Sequence, residues 1–212
     1  MQPFLMIAAA HFLALLSPGP DFFLIARTSL FFGWRVASGT CLGIALANGV
    51  FIGAAFTGTA LMRPDNTWFL VVQIAGCAYL LYLGVLFIRH AGNSDLTIPS
   101  THHAIPSVSQ PFIAWQRAMG MGFLSGIFNP KNALFYASLA AMLTGPYASA
   151  GWKTIYGVWM FSVVFLWDIL IAILIGNKIV LRRFSRALPW LERISGAMLI
   201  LLALGVIVIL IR

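Results

Sequence analysis

Residues 70–88 and 197–211 contain almost nothing polar, and similar apolar runs recur along the whole chain. A membrane-spanning helix needs about 20 predominantly apolar residues. Of the 212 residues, 61% are hydrophobic and 8% charged; a soluble domain is roughly a quarter charged. The chain therefore reads as an all-α polytopic membrane protein, because lipid leaves a backbone to satisfy its own hydrogen bonds. Six spans are expected, at about 4–26, 36–61, 67–89, 112–143, 154–177 and 189–211, with a five-span arrangement as the alternative. The fourth is too long for one straight span and should be bent or in two pieces. No basic residue precedes the first span and no small-residue cleavage site precedes Ser17, so the first span is expected to be retained.

Two helix-breaking motifs interrupt these runs: Ser17-Pro18-Gly19-Pro20-Asp21 and Asn129-Pro130-Lys131-Asn132. Proline cannot continue a helical hydrogen-bond ladder, and glycine weakens it. At membrane depth such breaks are tolerated mainly where they are buried in protein or line a wet cavity. A matched pair, one per half of the chain, points to the substrate site of a transporter.

The halves are weakly self-similar. Gly19-Pro20-Asp21 can be laid on Asn129-Pro130-Lys131, Gly33-Trp34-Arg35 on Gly151-Trp152-Lys153, and Leu83-Gly84-Val85 on Leu204-Gly205-Val206. With three spans each, residues 1–90 and 112–212 enter the membrane from opposite sides, as an inverted repeat. The polar stretch 91–111 reads as a flexible cytoplasmic linker between them, within one transmembrane domain. In the second span Gly39, Gly43 and Ala47 recur every four residues, as do Gly49 and Gly53, which lets helix backbones approach closely.

The net charge of +8 does not point to nucleic acid, because of where it lies. Arg27 and Arg35 flank loop one, Arg89 and Arg117 flank loop three, and Lys178, Arg182, Arg183, Arg186 and Arg193 crowd loop five. The remaining loops and the tail hold Arg63, Lys153 and Arg212. Loops one, three and five are then cytoplasmic and both termini face outward. Basic loop five suits anionic lipid head groups. Trp34, Trp68, Trp152 and Trp190, at span ends, read as interfacial anchors.

Ionisable groups within spans are costly and usually face a cavity or a partner. Asp21 and Lys131 each sit in the first turn of a helix restarted at a proline. The free N–H groups of such a helix end favour an anion. Asp21 suits that position; Lys131 opposes the dipole and wants an anionic partner, either Asp21 or a ligand carboxylate. Opposite charges on the two motifs would match the two ends of a zwitterionic amino acid. The other readings are a salt bridge that pins the halves together, or a Lys131 that snorkels to the head groups. Asp168, near the middle of the fifth span, aligns with Asn48 in the repeat. A lone carboxyl is costly to bury as an anion, which suits it to carry a proton, so Asp21 and Asp168 are the proton-coupling candidates. His11 lines the cavity or bonds a neighbouring helix.

The stretch Leu16-Ser17-Pro18-Gly19-Pro20-Asp21-Phe22-Phe23 resembles the amino-terminal signature of the LysE/RhtB amino-acid exporters, most nearly the threonine and homoserine efflux branch. Asn129-Pro130-Lys131 resembles that family's second-half motif, and length, spans and central linker are similar throughout. The resemblance implies efflux of a small amino acid or related metabolite across a bacterial inner membrane, driven by the proton gradient. It marks Pro18, Gly19, Pro20, Asp21, Asn129, Pro130 and Lys131 as candidates; Ser17 and Asn132 complete the two motifs.

Other classes fit less well. Cys41 and Cys77 form no CxxC pair, there is no HExxH, and there is no phosphate-binding loop. Neither an enzyme nor a cofactor is expected, and His102-His103 without a further ligand make a poor metal site. The alternative function is export of a metal, inorganic ion or other small solute on the same scaffold. An ion site would gather more ligands than the two carboxylates counted in spans, Asp21 and Asp168. An apolar exterior is compatible with a homodimer in lipid.

Overall fold

The structure, a computed structural model, describes residues 2–16, 19–61, 67–92, 111–141, 149–175 and 178–211. These form eight helices: α1 (Gln2–Leu16), α2 (Pro20–Phe32), α3 (Trp34–Leu61), α4 (Thr67–His90), α5 (Pro111–Ile127), α6 (Pro130–Ala141), α7 (Ala150–Ile175) and α8 (Lys178–Ile211). Among the described residues there is no strand. By length and hydropathy, Trp34–Gly58, Ala150–Ile175 and Arg186–Val208 can each cross a membrane, and Ile7–Leu16 with Pro20–Phe32 makes a fourth, bent by 54°.

Both expected interruptions are present. The segment expected as the first span divides into α1 and α2, and the one expected as the fourth into α5 and α6. Two boundaries differ from the sequence expectation. Loop one reduces to Gly33: α2 runs to Phe32 and α3 starts at Trp34, so Arg27 and Arg35 lie on helices. Gly33 turns the chain at φ 81°, a left-handed conformation that only glycine adopts cheaply. Loop five is helical as well. α8 starts at Lys178 and continues through Pro189, and its basic first turns are part of the helix. The linker at 93–110, with His102 and His103, lies outside the described residues.

Glycine fixes the helix crossings. α3 meets α5 backbone to backbone: a Cβ on Gly39 or Gly43 would overlap the carbonyl oxygens of Trp115 and Met119, and one on Gly122 that of Thr40. Trp115 Nε1 donates to Ser38 Oγ (3.0 Å) along the same seam. On α4 and α8, Gly84 and Gly196 face each other; a Cβ on either would lie 2.5–2.7 Å from the other's carbonyl oxygen. Space around Gly205 is open, so the sequence match of Gly84 to Gly205 is not a match in packing.

Two apolar clusters result. One joins α1, α4, α6 and α8 to the ends of α3 and α7 through residues such as Ile52, Leu80, Phe135, Tyr156 and Leu199. The other joins α2 to the remaining parts of α3 and α7 through Ile25, Cys41, Ile44, Val164 and Ile171. α3 and α7 run through both, and the helix breaks fall where the clusters meet.

Candidate functional site

At the first break the chain is extended at Gly19 (φ −125°, ψ −174°), the N-cap of α2. Gly19 has no side chain to cap with, and its carbonyl accepts Phe23 N–H (3.2 Å). Pro20 takes the first helical position, where a missing N–H costs nothing. Asp21 follows in the first turn. Ser17 and Pro18 lie outside the described residues.

The second break is built differently. α5 ends as Phe128 N–H bonds Leu124 O (3.1 Å) and Asn129 N–H bonds Gly126 O (3.2 Å). Asn129 then caps α6: its Oδ1 accepts Lys131 N–H (3.1 Å), and its carbonyl accepts Asn132 N–H (3.1 Å). The anion-binding character expected of this helix end is thus partly used by the protein itself.

The two breaks meet at one carboxylate. Asp21 Oδ1 accepts Ser125 Oγ (2.7 Å), and Oδ2 accepts Asn129 Nδ2 (3.1 Å) and Asn132 Nδ2 (2.9 Å). An ionised carboxylate offers about four acceptor sites, and three are filled. Asp21 therefore holds α2 to the α5–α6 break. The described hydrogen bonds of Asp21 thus run to neutral donors of the second break, with Lys131 within electrostatic range. The Lys131 ammonium donates to Ala14 O (3.4 Å) and lies 4.9 Å from the centre of the Phe87 ring. Lys131 stays at the break, close enough to Gly19 that a Cβ there would lie 3.8 Å from Nζ.

Between the clusters lies a chamber with a cavity volume of about 60 Å³. One water needs roughly 10–15 Å³ by this measure, so the space suits a few waters or a small solute. His11, Asp21, Asn48, Lys131 and Asp168 line it from five different helices, with Gly19, Asn129 and Asn132 of the breaks. Ile44, Phe135 and Val164 supply apolar wall. His11 both lines the chamber and bonds a neighbour, Nε2 to Tyr136 Oη at 3.1 Å. Asn48 turns its amide nitrogen to Ile44 O (2.9 Å). Asp168 is buried, and its Oδ2 has no hydrogen-bond partner among the described residues.

Sequence reasoning passed over three groups. Ser125 was legible as the one hydroxyl in the apolar stretch 118–128, one helical turn before Asn129. Tyr136 carried no such signal. The count of two carboxylates in spans omitted Glu192, which is buried on α8 and whose Oε2 accepts Gly92 N–H (3.1 Å), closing the end of α4. Lys153, expected in a loop, is buried on α7 and donates to Phe56 O (3.2 Å). Cys41 and Cys77 are buried and unpaired with each other.

The double use of Asn129 can be tested. Asn129→Ala removes a cap of about 1 kcal/mol and one donor to Asp21, for a loss of about 1–2 kcal/mol. Asn129→Asp keeps the cap acceptor but sets a second carboxylate against Asp21, and should lower the melting temperature in detergent further than alanine does. Equal melting of both variants with wild type would contradict this geometry.

The family model described as LysE type translocator matches residues 12–209. The chain is 26% identical to the "Threonine efflux protein" of Salmonella typhimurium, over 93% of this chain and 94% of that protein. It is 25% identical to the "Threonine efflux protein" of Escherichia coli K12, over 92% of each. It is 24% identical to the "Uncharacterized membrane protein YahN" of E. coli K12, over 90% of this chain and 82% of that one. No solved structure matches significantly.

Proposed function

Because the chain belongs to the LysE type translocator family, we propose that it exports a small amino acid, threonine- or homoserine-like, or a related metabolite across the bacterial inner membrane by proton antiport. One observation carries this reading: groups from both helix breaks and from mid-helix Asn48 and Asp168 converge on one small polar chamber within an apolar bundle. The efflux named for the two threonine relatives supports the substrate class. The unpartnered Asp168 oxygen supports Asp168, over the hydrogen-bonded Asp21, as the proton carrier.

The architecture proposed is two inverted three-span repeats, 1–90 and 112–212, joined by a cytoplasmic linker, with both termini periplasmic. The helix order supports it. Each half runs through two short helices separated by a break and then two long ones. α3 packs on α7 and α4 on α8, while α6 contacts α3 as α2 contacts α7. A metal exporter would need a ligand cluster, and among the described residues His, Cys, Asp and Glu form no group of three or more.

Accumulation of a labelled amino-acid panel in inside-out vesicles, with and without an acid-inside gradient, tests the function. Gradient-dependent uptake of threonine or a close analogue is expected. Uptake no greater than in protein-free vesicles for every amino acid would overturn it. Within this reading Lys131 meets the substrate carboxylate. Lys131→Ala should weaken binding about tenfold or more, the loss of one charge-assisted bond of about 1.5–3 kcal/mol. Unchanged affinity in a folded variant would remove Lys131 from the site.

A further inference from the structure

We infer that the Asp168 carboxyl is a shared seat, holding either a proton or the ammonium group of the amino acid but never both, and that this competition couples the two movements. The inference rests on the exporter reading above and adds the coupling device to it.

Hydrogen-bond accounting selects the residue. A substrate ammonium brings three donors and a positive charge, so it needs an unfilled acidic acceptor. Asp21 has three of its roughly four acceptor sites filled by Ser125, Asn129 and Asn132. Asp168, 8% exposed, keeps a sealed oxygen with no partner among the described residues. An anion left so would be costly in a low-dielectric interior. A positive group therefore belongs there whenever Asp168 is ionised, and a proton belongs there otherwise.

The groups around Asp168 point the same way. α1 contributes His11, tied through Nε2 to Tyr136 of α6. α2 contributes Asp21, and α3 contributes Cys41, within electrostatic range of Asp168. α6 adds Lys131 and Tyr136. Among the described residues α8 contributes none to the chamber lining, and its buried Glu192 lies within electrostatic range of Lys131. Lys131 is the one lysine or arginine of the described lining, and both Asp21 and Glu192 lie within electrostatic range of it, so an ionised Asp168 adds an uncompensated negative charge, which one proton or one ammonium cancels. A carboxyl that carries a proton is neutral and is no longer the anionic partner of an ammonium, so the two exclude each other at a single seat. A zwitterion would lie with its carboxylate towards Lys131 and its ammonium towards Asp168. On binding, the proton leaves Asp168 for water; on release, a proton returns.

Dicyclohexylcarbodiimide, which modifies protonated carboxyls in apolar surroundings, reads the seat directly in the purified full-length protein. Peptide mapping should place the adduct on Asp168. An amino acid from the panel that binds should suppress it several-fold, and the N-acetyl form of that amino acid, lacking the ammonium, should not. In the range where Asp168 is protonated, the affinity of the protecting amino acid should fall tenfold for each unit by which pH is lowered, as one-for-one competition requires. Asp168→Asn should lose the adduct and this pH slope, while Asp168→Glu keeps both. If Asp168→Asn does not fold, wild-type labelling and the pH slope decide alone. Three results overturn the inference: no adduct on Asp168, a bound amino acid that leaves labelling unchanged, or an affinity independent of pH. Absence of binding by every amino acid in the panel, with Asp168 still reactive, would instead bring down the exporter reading, and the ammonium half of the seat with it.

Discussion

Replacing Asp21 by alanine should abolish amino-acid efflux and lower stability by about 3 kcal/mol, because three hydrogen bonds to one carboxylate disappear together. Ser125 Oγ, Asn129 Nδ2 and Asn132 Nδ2 all point at Asp21 and would be left without it. A hydrogen bond to a charged group contributes about 1.5–3 kcal/mol. The partial exposure of Asp21 lets water replace some of that loss, which keeps the sum near the value of one or two bonds. Asparagine is no remedy: it offers one oxygen to three donors and turns its own NH₂ towards the amides of Asn129 and Asn132. Ser125→Ala removes a single donor and should cost about a third as much. Melting curves in detergent and efflux from loaded cells measure the two effects. An Asp21→Ala protein that melts like wild type yet no longer binds amino acid would reverse the assignment, making Asp21 a ligand group rather than a strut.

That assignment is one the charges alone could not make. Asp21 and Lys131 are the opposite charges of the two motifs, and Coulombic reasoning pairs them. The neutral amides of Asn129 and Asn132 are nearer in effect, because several aligned donors satisfy a carboxylate as one ammonium would. What was legible rests on covalent facts. Prolines at 20 and 130 fix where helices restart, and polar residues isolated in apolar runs, such as His11, Asn48 and Asp168, are costly facing lipid and so meet inside. What was not legible depends on tertiary context. Arg27 and Arg35 marked a loop by charge, yet the turn needs one residue when that residue is Gly33 at positive φ. Glu192, among Arg186 and Arg193 at a span end, resembles a surface ion-pair partner; its role as acceptor for Gly92 N–H depends on α8 extending back beside the end of α4.

The second large effect lies away from the chamber. Gly43→Leu should remove most of the folded protein from the membrane, because the α3–α5 crossing leaves no space for a side chain. A Cβ at Gly43 would overlap Met119 O and lie 2.6 Å from Phe123 N, both backbone atoms that cannot rotate aside. Overpacking in a tight interior costs about 1–3 kcal/mol, and more where only backbone can move. In lipid there is little hydrophobic gain from helix association to offset it, so close packing through small residues carries the contact. The displacement would reach the site as well. α5 carries Ser125 and leads directly into Asn129, so prising α5 from α3 pulls both from Asp21. Gly120→Ala is the control: it lies on the same helix α5, and a Cβ there meets nothing within 4 Å. Its effect should stay within about 0.5 kcal/mol. Recovery of a monodisperse detergent-solubilised peak, with its melting temperature, separates the two variants. A Gly43→Leu protein as abundant and heat-stable as Gly120→Ala would mean that α3 and α5 do not touch through their backbones.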